Sequence, residues 1–315
     1  MMDTSTLGRT RNGAAPTFEL SEAEFLAISA RIHRDTGIVI GRAKRSMLIS
    51  RLAHRLRHLG MKNFGEYIRH LESPDGQNEH DALVSAITTN VTSFFRESHH
   101  FDALAQLARS WSLRAKVGGR VRVWSAGCST GQEAYSIAAT LLDAAPDLEK
   151  CDLRILATDI DANVIEKAKA GVYDRRLIGE NVPAALSRFL QDGPGAGQVT
   201  VAPKLRTFIR FEVLNLLQPW PFQGKFDVIF CRNVVIYFDD KTRYDLWHRL
   251  AGRIVADGTL FIGHSERMDA RLEPLFIPAG ITQYRRTAVS DNGNLTPSVS
   301  NVSDVGIAQC PYETL

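Results

Sequence analysis

Apolar residues recur at helical spacing early in the chain and at strand spacing later, and the change comes near residue 121. Ser21 and Glu24 have the spacing of a capping box, and Phe25, Ile28 and Ile32 follow on one helical face. Gly37 stands where a helix C-terminal glycine belongs. A second stripe, Leu48, Leu52, Leu56 and Leu59, ends at Gly60. A third helix is predicted from Asn63, with Glu66 three residues on and Phe64, Tyr67, Ile68 and Leu71 inward. Residues 17–89 therefore read as an all-helical domain, after a disordered leader at 1–16.

From residue 121 buried strands alternate with helices. VRVWSAG, LRILATDI and FDVIFCRN are predicted strands, followed by helices from about Gln132, around NVIEKAKA, and around Leu246, Leu250 and Ile254 or Val255. TLFIG and ITQYRR add two late strands. Such alternation predicts an α/β domain over 90–286 with a parallel sheet. DGPGAGQ, between QVTV and TFIRFEV, interrupts it. With Ile209, Phe211 and Val213 alternating, residues near 188–213 read as a small antiparallel β-subdomain. Residues 287–315 read as a flexible tail.

Composition excludes several classes. Hydrophobic residues make up 44% and charged residues 23%, as in an ordinary globular protein. The leader has no apolar core of a secretory signal and no run is long enough for a membrane span, so a cytoplasmic location without membrane insertion is expected. Cys128, Cys151, Cys231 and Cys310 are far apart, which predicts reduced thiols. No Cys/His cluster has zinc spacing, so no metal is expected, and His99, His100 and His264 read as structural. The net charge of +3 is too small to imply nucleic acid. Residues 31–75, however, hold ten Lys/Arg against four Asp/Glu, which predicts an anionic partner. Arg51, Arg55 and Arg57 are expected to project from the leucine-striped helix and dock it.

The sharpest motif is AGCSTGQE at 126–133, between a strand and a helix. Gly127 and Gly131 leave space for a ligand beside the chain. The spacing is neither GxGxxG nor a P-loop, which argues against a dinucleotide. Asp159 ends the second strand and could accept from both hydroxyls of a ribose, although Asp159 or Asp161 could instead cap the next helix. Glu133 could cap its helix or hold an ammonium group. Several acids suit a cationic, sulfonium-bearing cofactor such as S-adenosylmethionine (SAM) better than a pyrophosphate. Arg232, Asn233 and Tyr237 follow the third strand, where ligands of open α/β sheets bind.

These segments together resemble the chemotaxis-receptor glutamate methyltransferase family (CheR). The matching pieces are DTGI (35–38), KRSMLISRLAHRLRHLG (44–60), TTNVTSFFRE (88–97), WSAGCSTGQEAYSIA (124–138), ATDID (157–161), NLL (215–217), FDVIFCRNVVIYF (226–238) and GHSE (263–266), in family order. The resemblance implies a SAM-binding, Rossmann-like methyltransferase sheet with a small antiparallel β-subdomain, preceded by an all-helical domain. It implies SAM contacts from Asn90, Thr92, Arg96, Glu133, Asp159, Asn215, Leu216, Arg232 and Asn233, with Arg96, Arg232 and Tyr237 at the methyl-transfer point. Its reaction gives a glutamate methyl ester and S-adenosylhomocysteine (SAH). The acidic methylation region of a chemoreceptor would be the partner of the basic helix. Part of the family docks a receptor C-terminal pentapeptide on the β-subdomain. Here Asp192 replaces one glycine of that loop, and the chain's own end, PYETL, has the aromatic–acid–x–hydrophobic pattern of such peptides. A non-catalytic SAM-binding adaptor and a small-molecule O-methyltransferase are the alternatives. If Asp159 holds the ribose, Asp159→Ala weakens SAH binding at least tenfold (about 1.4 kcal/mol) in a calorimetric titration.

Overall fold

The computed structural model describes residues 18–178 and 183–288. The leader, Cys310, the PYETL end and nearly all of the tail lie outside the described residues. The chain forms two compact units. One comprises the chain up to Arg31 together with Ile40–Ile87, and the other comprises Ile32–Val39 and the chain from Thr88 onward.

The first unit is helical. It holds most of α1 (Glu22–Thr36), with α2 (Arg45–His58), α3 (Phe64–Glu72) and α4 (Glu79–Ile87). The predicted caps form: Ser21 N–H and Oγ both reach the Glu24 carboxylate, and Asn63 Oδ1 accepts from Glu66 N–H at 2.9 Å. Leu48, Leu52, Leu56, Phe64, Tyr67 and Leu71 are buried, while Ile68 and Leu59 are half-buried. Helix α4 was not foreseen.

The basic face differs from expectation. Arg51 donates to the Ile87 carbonyl at 2.8 Å, satisfying the C-terminal end of α4. Arg55 holds Glu79 by two bonds, 2.9 and 2.6 Å, and Tyr67 OH donates to the same carboxylate at 2.9 Å. Glu79 is only 4% exposed. Arg51 and Arg55 thus hold their own unit together rather than projecting from it. Arg57 remains exposed, as do Lys44, Lys62 and Arg69.

In the second unit, α5 (His99–Lys116), also unforeseen, precedes β1 (Arg120–Ala126), α6 (Gln132–Ala144), β2 (Asp152–Asp159), α7 (Ala162–Ala170) and β3 (Val172–Asp174). Next come the single-turn helices α8 (Arg175–Ile178) and α9 (Ala184–Ser187), strands β4 (Leu190–Asp192) and β5 (Gln198–Val201), and the single turn α10 (Pro203–Arg206). Strands β6 (Ile209–Val213) and β7 (Phe226–Cys231), α11 (Asp240–Ala251), β8 (Ile254–Ile262), β9 (Phe276–Gly280) and β10 (Gln283–Arg286) complete it. The main sheet has the order β6-β2-β1-β7-β8-β10-β9. Strands β6, β2, β1, β7 and β8 are parallel, and β10 pairs antiparallel with β8 and β9. This is the expected Rossmann-like class.

One assignment is corrected. β6 is not part of the antiparallel insertion; it pairs parallel with β2, from Ile155↔Ile209 to Asp159↔Val213. Phe211 is buried, but Val213 is 51% exposed, because β6 is an edge strand covered on one face. The small sheet is instead β3-β5-β4, with β3 drawn from residues just after α7.

Alternation along β1 serves two cores. Val121 and Val123 join α5, α6 and the small-sheet residues on one face. Trp124 and Ala126 join Trp220, Phe222 and α11 on the other. Both faces of a parallel sheet are covered, as this class requires. Residues 32–39 sit with this unit: Ile38 bridges Phe238, and Val39 N–H donates to the Tyr237 carbonyl at 2.8 Å. Among the described residues no helix is long and apolar enough to cross a membrane.

Removing Glu79 would leave Arg55 without its buried partner. Glu79→Ala is expected to destabilise the helical unit by about 3 kcal/mol, seen as a lower denaturant midpoint with the slope unchanged.

Candidate active site

The strand order reverses beside β1: β2 and β6 lie on one side, β7 and β8 on the other. A crevice beyond the strand ends opens at such a switch point. Asn90, Glu133, Asp159 and Arg232 are tied to the strand ends or to the glycine turn there.

The turn after β1 is left-handed at Gly127 (φ 89°), Ser129 (φ 50°) and Gly131 (φ 93°). A Cβ on Gly127 would stand 2.4 Å from Val234 Cγ2, so the loop after β7 packs directly on this turn. The N–H groups of Gly127 and Cys128 both donate to the Thr158 carbonyl at 2.8 Å, tying β1's end to β2's end.

Asp159 closes β2. Its Oδ2 accepts from Ser129 N–H at 2.8 Å and its Oδ1 from Asp161 N–H at 3.0 Å. Burial raises its pKa, opposed by these backbone donors. The Ile160 N–H also acts on this carboxylate, and at least one of its lone pairs remains for a ligand hydroxyl. The two capping candidates separate: Asp161 caps α7, accepting from Asn163 N–H at 2.9 Å. Its other oxygen accepts from Asn90 Nδ2 at 2.8 Å, and the Asn90 carbonyl accepts from Ser129 Oγ at 2.8 Å. Asn90 thereby reaches the glycine turn, and Thr92 follows half-buried in the same loop.

Glu133, in the first turn of α6, accepts from Ser125 Oγ at 2.7 Å and from Arg232 at 2.9 Å. The Arg232 side chain is 2% exposed; it also lies 3.2 Å from Glu97 and donates to the Arg96 carbonyl at 2.6 Å. Both terminal nitrogens of Arg232 are thus engaged within the protein, and among the described residues its buried Nε has no partner. Arg96 differs. It is half-buried, and its one hydrogen bond given by the structure goes to the Val91 carbonyl at 3.1 Å, in an exposed setting.

Asn233 follows Arg232 in left-handed conformation (φ 59°). Glu266 holds it: the carboxylate accepts from the N–H groups of Asn233, Val234, Val235 and Gly263 at 3.0, 2.8, 2.9 and 2.6 Å. Burial raises the Glu266 pKa, and the four donors oppose that rise. Tyr237 ends the short turn Val235–Tyr237 and is half-buried. Asn215 and Leu216 lie beyond β6. Asn215 Nδ2 donates to the Asp35 carbonyl at 2.8 Å, and its Oδ1 accepts from Leu217 N–H. Leu216 is buried in the second core.

Glu97, Glu266, Ser125 and Ser129 were not singled out from the sequence. Glu97 and Glu266 lie inside segments carrying the family resemblance, yet no spacing rule gives them a role. Glu97 is held from one side by Arg232 and accepts from His264 Nδ1 at 3.1 Å when that nitrogen carries the proton. Arg232 and the His264 contacts lower its pKa against the opposing cost of burial. Four carboxylates (Glu97, Glu133, Asp159, Asp161) stand with two arginines. That donor set suits a cationic cofactor with an ammonium, a sulfonium and a ribose diol, and it offers little to a pyrophosphate.

A parallel sheet with this turn, this acid and this charge balance defines a SAM-dependent methyltransferase. The comparisons place it more closely. Residues 23–88 match "CheR methyltransferase, all-alpha domain", and residues 90–285 match "CheR methyltransferase, SAM binding domain". A "Probable chemotaxis protein methyltransferase" of Rhizobium etli is 44% identical over 259 residues, covering 81% of this chain and 97% of that one. The "Chemotaxis protein methyltransferase" of Escherichia coli K12 is 43% identical over 271 residues, covering 84% and 91%. The chain belongs to the CheR methyltransferase family, and SAM is its cofactor.

Glu266→Gln would turn an amide NH2 toward backbone N–H donors. We expect a loss of about 2 kcal/mol in stability and, since Asn233 loosens, an SAH dissociation constant raised several-fold by calorimetry. Unchanged SAH affinity would separate the anchor from the cofactor.

Proposed function

We propose that the protein transfers the methyl group of SAM to glutamate side chains in the cytoplasmic, acidic methylation region of a chemoreceptor. The observation that carries this reading is the contrast between two arginines: Arg232 is buried with both terminal nitrogens engaged inside the protein, while Arg96 is half-buried and makes its hydrogen bond to the Val91 carbonyl in an exposed setting.

SAM supplies an electrophilic methyl on a sulfonium. The protein must bring an anion to it in line and without water. A glutamate carboxylate is ionised at neutral pH, with a reference pKa of about 4.3, and needs no general base. Arg96 orients it by charge-assisted bonds that weaken as the ester forms and the charge is lost. Arg232 keeps the Arg96 backbone and Glu133 in place. Glu133 receives the cofactor's ammonium group, Asp159 its ribose, and Asn90 and Asn233 border the same crevice. Asn215, Leu216, Thr92 and Tyr237 keep the roles that family membership suggests, in cofactor contact and at the methyl-transfer point.

In the helical unit, the acidic receptor segment meets Arg57 and the other exposed cations. Arg51 and Arg55 contribute to docking only through the rigidity they give that unit. Pentapeptide recruitment would use β4, an edge strand of the small sheet. There Asp192 is exposed and paired with Arg175 at 2.7 Å.

A second reading has one observation in its favour. His264 lies 3.1 Å from Glu97 and 3.0 Å from Ser265 Oγ, so an oriented imidazole stands near the arginines. It could serve as general base for a small-molecule hydroxyl. The pH profile decides. A carboxylate nucleophile gives a kcat/KM that is flat from about pH 6 to 9 and falls only as glutamate protonates near its reference value of about 4.3. A histidine base gives a fall through about 6.5. The accompanying assay uses labelled SAM and receptor cytoplasmic fragments. Base-labile label on glutamate is expected; SAM binding without any transfer would sink the proposal.

A further inference from the structure

Two histidines beside the arginine cluster take no part in the methyl-transfer scheme. His100 is 1% exposed. Its Nε2 lies 2.7 Å from Thr282 Oγ1 and 3.3 Å from the Ile281 carbonyl. A carbonyl can only accept, so Nε2 carries the proton and Nδ1 presents a lone pair. That lone pair meets another acceptor, for Glu97 Oε2 stands 3.6 Å from Nδ1. Neither His100 Nδ1 nor His99 Nε2 has a hydrogen-bond partner among the described residues, and both atoms are buried. Arg232, 3.2 Å from the same Glu97 oxygen, hydrogen-bonds to neither histidine nitrogen. One ligand atom each from Glu97, His99 and His100 lies within 4.8 Å of the others.

A carboxylate oxygen and an imidazole lone pair thus face each other beside a second, unpartnered imidazole nitrogen, and two acceptors repel unless something positive joins them. We propose that Glu97, His99 and His100 form a two-histidine, one-carboxylate site for a divalent transition-metal ion, zinc being the best fit. Neutral imidazole and carboxylate are the donor types zinc takes, at about 2.0–2.2 Å. The bond from His100 Nε2 to Thr282 is the outer contact that orients a metal-bound imidazole and fixes its tautomer. Glu97 brings the negative charge such an ion needs, and its Oε2 is the atom that faces His100 Nδ1. His99 packs against His100 with ring centroids 4.2 Å apart, which keeps the two imidazoles side by side at the start of α5. The local sequence, Glu-Ser-His-His, has no zinc spacing; the left-handed backbone at Glu97 (φ 59°) aims the carboxylate back at the helix that carries both histidines.

The test uses untagged protein freed of metal by chelation. Zn²⁺ is titrated by calorimetry and Co²⁺ by its visible absorption. One equivalent is expected to bind saturably, and His99→Gln is expected to bind at least tenfold more weakly. Glu97→Gln provides a second ligand deletion, and circular dichroism verifies that both variants are folded. Absence of one-equivalent binding to the wild type would overturn the site. So would undiminished affinity and an unchanged Co²⁺ spectrum in both folded variants, which would place the ion on other histidines.

Discussion

The buried guanidinium of Arg232 is the interaction on which the crevice at the strand ends depends. It sits at the end of β7 and joins groups from separate parts of the chain: Glu133 on α6, and Glu97 with the Arg96 carbonyl on the loop before α5. A charge with 2% exposure is tolerable only when its partners are in place. Correct docking of α6, β7 and the arginine loop is therefore coupled. Losing one partner would leave the others with uncompensated charge.

A second constraint acts through backbone. Left-handed residues cluster around the crevice: Phe95, Glu97, Gly127, Ser129, Gly131 and Asn233. Several are not glycine, so their conformation costs energy that surrounding contacts must offset. Glu266 does this for Asn233 with four N–H bonds, Asp159 does it for Ser129, and Ser136 Oγ accepts from Phe95 N–H at 3.0 Å. These acids shape the loops around the crevice, and in the proposed function Asp159 also meets the cofactor. Asp159→Ala would remove the acceptor that holds Ser129 N–H, so a folding control belongs beside its affinity measurement.

The helical unit shows a different economy of charge. Arg51 and Arg55 sit on α2 within two turns of the exposed Arg57, yet they satisfy a helix end and a buried glutamate. A count of cations along a helix cannot distinguish these roles, because the partners, Ile87 and Glu79, come from a helix that periodicity did not reveal. Helix α4 has a mixed pattern: its Glu79 is buried along with Leu83, Val84 and Ile87.

The sequence by itself determined the two architectural classes, the helix caps, the glycine turn, the acid at the end of β2 and the family. Each is local: a cap needs three or four neighbouring residues, and a strand–turn–helix motif needs about ten. Only the tertiary structure decided the partners of Arg232, the parallel pairing of β6, the anchoring by Glu266, and the convergence of Glu97 with two histidines. Pairing direction and buried ion pairs depend on which distant segments come to lie together, and burial then sets how strongly each charge demands its partner. Periodicity carries no record of either.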